Sequence, residues 1–353
     1  MVKQFYGFSK QGSLKDALKG LETPKLMILF SNEKQFNEHV NELEVLAPGI
    51  PSIGCIGMSY GGENIVENGV SIIAFTDGVT VVANVLENAS TMPVKYIGRM
   101  EDDIRKVKAG SNDTVCIDFC TNNDACMVAT INGVLGKKNI SLVGATGGMG
   151  KVSLNGKVYE DASVYAIIKN NGGKVKVYKE NIYKPLKDRF VVTKSSKANC
   201  VLAELDGKPA NKVYQDALHI SESEIVSQTF KNPLGKIYGN DVYIISVKEV
   251  VSGNGLSCYK QVNNSDVLAL MELDDYDKIV KNTVQSIKND LKGVSAVFSV
   301  NCIFRYLLFE QQKYFQEYLH QMNMVGAHAG LVGYGEHFNS EHVNQTMSCV
   351  AFE

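Results

Sequence analysis

Apolar positions along the chain recur in three blocks of the same order. Residues 26–30 form a continuous apolar run, after which Phe36, Val40 and Leu43 fall at helical spacing until Pro48 and Gly49 end the helix. The segment Gly57-Met58-Ser59-Tyr60-Gly61-Gly62-Glu63 follows, and residues 70–75 read as a strand. The second block runs through a strand at 115–119, a helix marked by Met127, Ile131, Val134 and Leu135, the turn Gly144-Ala145-Thr146-Gly147-Gly148, and a strand at 164–168. The third runs through a strand at 296–300, a helix carrying Leu308, Phe315, Leu319 and Met322, the segment Gly330-Leu331-Val332-Gly333-Tyr334-Gly335-Glu336, and a strand at 347–352. One unit of strand, helix, glycine turn and strand, used three times, predicts an α/β protein of two domains with mixed β-sheets flanked by helices. Glycine turns let backbone approach a ligand closely, so these are candidate walls of a binding site.

The intervening sequence fills in the remaining elements. Residues 5–8 open as a strand, Ser13 caps a short helix, and Asp77-Gly78 predicts a hairpin between strands at 70–75 and 81–86. Further strands are expected at 174–183, 190–193, 201–205, 242–247, 255–259 and 267–271, with helices at about 100–108, 210–218 and 275–291. The polar stretch His219-Ile220-Ser221-Glu222-Ser223 is the expected boundary, giving domains over residues 1–219 and 220–353.

Composition narrows the function. Across 353 residues, 36 Lys and Arg nearly balance 38 Asp and Glu, which gives no electrostatic footprint for nucleic acid or an anionic membrane. No apolar stretch is long enough to span a bilayer, and the N-terminus lacks a signal-peptide layout, so a soluble, cytoplasmic protein without membrane insertion is expected. The 8 cysteines are dispersed without a Cys-x-x-Cys pair and read as buried free thiols, not disulfides or a zinc site.

Several residues carry possible chemistry. Arg305 follows an apolar strand and suits a carboxylate or phosphate, unless it pairs with an acid such as Glu310. Glu63 and Glu336 end their glycine segments; facing one pocket they would hold an ammonium group or act as acid and base, while each alone would fix its own turn. His328, His337 and His342 lie close in sequence without metal-site spacing. Cys302, beside Arg305, is a nucleophile candidate only if its thiol is activated. No Gly-x-Ser-x-Gly or phosphate-loop ending is present, and no catalytic residue is assigned.

Taken in order, these motifs resemble the FIST family of bacterial and archaeal intracellular sensory proteins, which have FIST N and FIST C domains. Gly57 to Glu63 matches the family's Gly-Cys-Ser-Thr-Ala-Gly-Glu turn, and Gly144 to Gly148 its central glycine turn. Asn301 to Arg305 matches its Ser-Cys-x-Gly-Arg segment, Gly330 to Glu336 its Gly-Phe-Tyr-Thr-Tyr-Gly-Glu turn, and Val343-Asn344-Gln345-Thr346 its His-Asn-x-Thr. Met58, Gly333 and Phe304 depart from the family's Cys, Thr and Gly. The resemblance implies signal transduction through ligand binding, with amino acids among the proposed ligands. Its site would comprise Arg305, Glu336, Tyr334, Gly330, Gly335, Asn344, Thr346, Glu63, Gly57, Gly62, Thr146 and Gly147, in a cavity between the domains shared by Arg305 and Glu336. It also implies a separate output partner, such as a histidine kinase, a chemotaxis receptor or a cyclic-dinucleotide enzyme. No cofactor is required; the alternative is a haem-binding nitric oxide sensor with His328 or His337 as axial ligand. A further alternative is an enzyme using Glu63 and Glu336, or Cys302.

Overall fold

The computed structural model describes residues 1–353 except 89, 92, 123 and 240. The first block contains β1 (Lys3–Ser9), α1 (Leu14–Ala17), β2 (Leu26–Ser31), α2 (Phe36–Leu46), β3 (Ser52–Ile56), the hairpin of β4 (Met58–Gly61) and β5 (Asn64–Val66), and β6 (Val70–Asp77). The second contains β7 (Val79–Glu87), α3 (Ile97–Lys106), β8 (Thr114–Cys120), α4 (Asp124–Leu135), β9 (Ser141–Thr146), the hairpin of β10 (Gly148–Leu154) and β11 (Lys157–Tyr159), and β12 (Ala162–Asn170). After β13 (Val175–Asn181) come β14 (Tyr183–Ser196), β15 (Val201–Leu205), β16 (Lys208–Pro209), α5 (Ala210–Leu218), α6 (Ile225–Gln228), β17 (Leu234–Tyr238), β18 (Asp241–Ile245), β19 (Val247–Val251), β20 (Gly255–Cys258) and β21 (Val267–Leu273). The third block then follows as α7 (Tyr276–Asp290), β22 (Ala296–Cys302), α8 (Ile303–Gln311), α9 (Phe315–Asn323), β23 (Ala327–Gly333), β24 (Glu336–Phe338), β25 (Glu341–Val343) and β26 (Thr346–Phe352).

The chain divides into two compact units, residues 1–180 with 280–342 and 346–353, and residues 181–279 with 343–345. All three repeats lie in the first unit, apart from residues 343–345 of the third. In each, the opening strand runs parallel to the strand after its helix and antiparallel to the closing strand: β2 with β3 and β6, β8 with β9 and β12, β22 with β23 and β26. Each repeat then gives its hairpin to another. β4–β5 extends the sheet of β23, β10–β11 that of β3, and β24–β25 that of β9. The result is three six-stranded sheets of equivalent order, β1-β6-β2-β3-β10-β11, β7-β12-β8-β9-β24-β25 and β13-β26-β22-β23-β4-β5, linked in a cycle.

The inner faces of these sheets meet in one apolar cluster that includes Phe30, Cys55, Phe119, Ala145, Val300 and Leu331. Their outer faces are covered by helices; Met100, Ile104, Met127 and Ile131 pack on Cys116, Cys120 and Leu142. Strands buried on both faces explain why the opening strands read as continuous apolar runs instead of alternating. The second unit has its own eight-stranded sheet and a separate core around Val192, Leu202, Tyr214 and Leu256.

Asp77-Gly78 is not a hairpin: β6 and β7 belong to different sheets, and Gly78, at φ 76° and with Met1 O 2.4 Å from where a Cβ would sit, carries the chain between them. The single helix expected through 308–322 is α8 and α9, separated by Lys313 at φ 54°. Asn344 and Gln345 precede the last strand, which begins at Thr346. The two Gly-Glu segments also differ in register, because Gly62-Glu63 is the tip between β4 and β5 whereas Gly335-Glu336 enters β24. The polar stretch 219–223 lies within the second unit, where Ser221 and Glu224 form a capping box.

Candidate functional site

Hairpin exchange brings the C-terminal ends of β3, β9 and β23 to one junction, since Gly148 pairs with Ile56, Glu336 with Ala145 and Met58 with Val332. Such strand ends are the usual ligand side of α/β sheets. Gly57, Gly147 and Tyr334-Gly335 are the crossings between sheets. A Cβ on Gly335 would sit 2.4 Å from His342 Nε2 and 3.1 Å from Thr146 Oγ1, and one on Gly147 2.9 Å from Cys55 Cβ, so close packing requires glycine there. Tyr334 and Met149 are exposed at this junction, and Thr146 is 9% exposed.

A second trio of glycines occupies one equivalent position in each sheet. Gly54, Gly144 and Gly330 pair with Leu29, Asp118 and Ser299 of the opening strands, and the incoming hairpins place Ser153, His337 and Tyr60 opposite them. A Cβ on Gly144 would fall 1.9 Å from Asp118 Oδ1, and one on Gly330 2.7 Å from the Tyr60 hydroxyl. The missing side chains are what make room for these polar groups.

In the second sheet the slot is charged. His337 Nδ1 lies 2.8 Å and 3.0 Å from the two carboxylate oxygens of Asp118, and Nε2 lies 3.6 Å from Cys120 Sγ. Ser163 donates to Asp118 at 3.4 Å, and Thr146 Oγ1 is 3.8 Å from the Cys120 sulfur. Asp118, Cys120 and His337 are all fully buried. Burial alone would push the His337 imidazole down, but Asp118 and Cys120 beside it outweigh this and hold it well above its ordinary value.

In the third sheet the same slot is neutral. Asn301 donates to the Tyr60 hydroxyl at 2.8 Å and to Tyr318 at 2.9 Å, while Tyr60 and His328 Nε2 reach Ser299 Oγ at 2.8 Å and 2.7 Å. His328 has no carboxylate partner, and burial pushes its imidazole down to about 3. It is neutral throughout the physiological range.

Glu336, one residue from His337, points to the opposite face of its sheet. Its Oε2 accepts from the Thr346 backbone at 3.2 Å and hydroxyl at 2.9 Å, its Oε1 is buried without a hydrogen bond, and Cys302 also bonds to its carboxyl. Burial outweighs these bonds and pushes the carboxyl up to about 8. Cys302 is itself buried.

Arg305 is not in a cavity with Glu336. Its side chain is fully buried on α8, paired through Nη2 with Glu180 of β13 and lying over the rings of Phe309 and Tyr318. Nε and Nη1 of Arg305 and Oε2 of Glu180 have no hydrogen bond. Nor do Glu63 and Glu336 share a pocket: Glu63 is exposed and lines a separate cleft of about 430 Å³ with Glu67, Glu310 and Tyr306. Gly62 sits at the hairpin tip, Gly330 packs against Ser299, and Asn344 is buried with its Nδ2 unbonded. The structure therefore brings Gly57, Thr146, Gly147, Tyr334, Gly335, Glu336 and Thr346 together and leaves the other expected residues elsewhere.

Comparison with family models gives a FIST N domain over residues 25–208 and a FIST C domain over residues 210–339. The chain belongs to the FIST family. FIST domains are associated with sensory and signal-transduction roles. No curated protein matches the chain significantly. Among the described residues of this FIST protein, no helix is long and apolar enough to cross a membrane.

The histidines do not fit a haem. His337 has both ring nitrogens engaged, and His328 is buried with its ring 5.5 Å from Tyr60 and 6.0 Å from Tyr318, which leaves no face for a macrocycle. The sequence does not link Asp118 or the buried thiol of Cys120 to His337, because both stand in an apolar strand more than two hundred residues away. The available signal was an aspartate in the middle of Thr-Val-Cys-Ile-Asp-Phe-Cys, a charge that a strand buried on both faces must pair.

Proposed function

We propose that this FIST protein is a cytoplasmic sensor that binds a small molecule at the junction of the three strand ends. The observation that carries this reading is Glu336, a fully buried carboxyl with one oxygen unbonded, beside crossings stripped of side chains. Such a group lacks a hydrogen-bond partner at that oxygen; it holds its own proton at neutral pH while the site is empty, and an ammonium group placed beside it would favour the carboxylate and make the bond charge-assisted. An amino acid fits by its ammonium group, with Thr146 and Tyr334 at the rim and Thr346 orienting Glu336. The bound state would be reported to a separate output protein, such as a histidine kinase, a chemotaxis receptor or a cyclic-dinucleotide enzyme, by favouring one conformation over another.

Calorimetry with a panel of amino acids, and with the same molecules lacking the amine, tests the reading. Binding by amine-bearing members, reduced at least about tenfold in Glu336→Gln, is expected, consistent with loss of a charge-assisted bond. Equal binding by the Gln variant removes Glu336 from the site.

A further inference from the structure

The slot under β24 resembles an activated thiol more than a structural hydrogen-bond network. Cys120, His337 and Asp118 are collinear in function: the carboxylate holds Nδ1 through both oxygens, which fixes the imidazole and leaves Nε2 directed at sulfur 3.6 Å away. A base oriented by a third group and within reach of a nucleophile is the arrangement that activates thiols. The slot is also purpose-shaped, since Gly144 alone among residue types leaves room for the Asp118 carboxylate. The equivalent slots hold Leu29 with Ser153 and Ser299 with Tyr60, so nothing in the repeat itself calls for a charged pair there.

We propose that Cys120 is a reactive thiol, activated by His337 and positioned through Asp118, whose reactant is a small hydroperoxide. An imidazolium donating Nε2–H to sulfur favours the thiolate. The thiolate attacks the peroxide, an S–O bond forms as the O–O bond breaks, and the departing hydroxide takes the Nε2 proton from His337 to leave as water. Cysteine becomes sulfenic acid, the peroxide is reduced to water or an alcohol, and His337 is left neutral. Two equivalents of a cellular thiol restore the cysteine: the first forms a mixed disulfide with release of water, and the second displaces Cys120 as the thiol and leaves as the reductant's own disulfide. The size of the reactant follows from burial: Cys120 is 0% exposed and the neighbour that reaches the surface is Thr146, 3.8 Å from the sulfur.

The groups facing this thiol are few. Asp118 and Cys116 stand on β8, Ser163 on β12, Cys55 on β3 and His337 on β24, with the His342 ring 6.0 Å from that of His337. Asp118 is the carboxylate bonded to His337, and Glu336 points to the opposite face.

The reduced full-length protein, treated with hydrogen peroxide and trapped with dimedone, tests the proposal by peptide mapping, with exposed Cys126 as internal reference. Cys120 is expected to label at least about tenfold faster than Cys126 at pH 6, where an ordinary thiol is almost wholly protonated. Its rate should stay nearly flat from pH 6 to 8, whereas that of an unactivated thiol peptide added to the same sample climbs about tenfold per unit. In Asp118→Asn and His337→Gln the advantage over Cys126 should vanish. Labelling of Cys120 that is slower than that of Cys126, or that rises in parallel with it, overturns the proposal. The pH profile needs only the unmodified protein, so it decides the matter even where a variant does not fold.

Discussion

The slot around His337 and the slot around Tyr60 are built on the same backbone and hold opposite chemistry. Each has a glycine on the second parallel strand, a polar residue opposite it on the opening strand and a ring delivered by a hairpin from another repeat. One is filled by a carboxylate and an imidazole, the other by hydroxyls, an amide and a neutral histidine. The geometry thus comes from the repeat, whereas the charge state comes from a single choice on the opening strand, Asp118 against Ser299. The remaining slot, with Leu29 on the opening strand and Ser153 opposite, shows that the fold does not require a polar pair there.

Graded substitutions sharpen this contrast. Asp118→Ala strips a buried imidazolium of its counter-charge and should cost about 3–5 kcal/mol, read as a lower urea midpoint. Arg305→Met should cost about as much because Glu180 is left buried and charged, and adding Glu180→Leu should recover most of the loss. Tyr60→Phe, which removes a neutral hydroxyl shared by Asn301 and Ser299, should cost about 1–3 kcal/mol. Ser153→Ala should cost less than either. A Tyr60→Phe loss equal to that of Asp118→Ala would break the distinction between charged and neutral slots.

Stability against pH separates the buried acid from the buried base. Glu336 keeps its proton in the folded protein up to about 8 but loses it in the unfolded chain near 4.5. Stability contributed by the protonated form is therefore full below the ordinary carboxylate range and falls as pH rises through 8. His328, held down to about 3, works the other way: stability is full above 6.5 and falls as pH drops toward 3. Urea midpoints measured from pH 4 to 9 should fall at both ends, and Glu336→Gln should make the alkaline limb shallower while leaving the part contributed by His337, whose raised value also costs stability as pH rises above 6.5. An alkaline limb unchanged in that variant would assign the fall to another group.

Much of the repeat was legible because strand, helix and glycine turn are local patterns. Residues 26–56 and 114–146 fold as their periodicity indicates, and 296–333 does so except that its helix is broken at Lys313. What stayed hidden was which repeat receives each hairpin, since that depends on pairing across hundreds of residues and leaves no local trace. For this reason Gly57 to Glu63 and Gly330 to Glu336 looked like equivalent turns, when β4 and β23 in fact pair with each other, Tyr60 against Gly330. The same non-local step hid Glu180 as the partner of Arg305 and Asp118 as that of His337. Glu336, Thr146 and Tyr334 are legible as candidates because they border glycines, which mark turns in the sequence.

The measurement that bears most directly on the account is a histidine NMR titration of the full-length protein, with ring signals assigned by His337→Gln and His328→Gln. Two opposite states are expected: His337 an imidazolium at neutral pH that gives up its proton only well above 6.5, and His328 a neutral ring down to about 3. Both rings titrating together near 6.5 would contradict it, because the repeat would then hold two ordinary histidines and no charged slot.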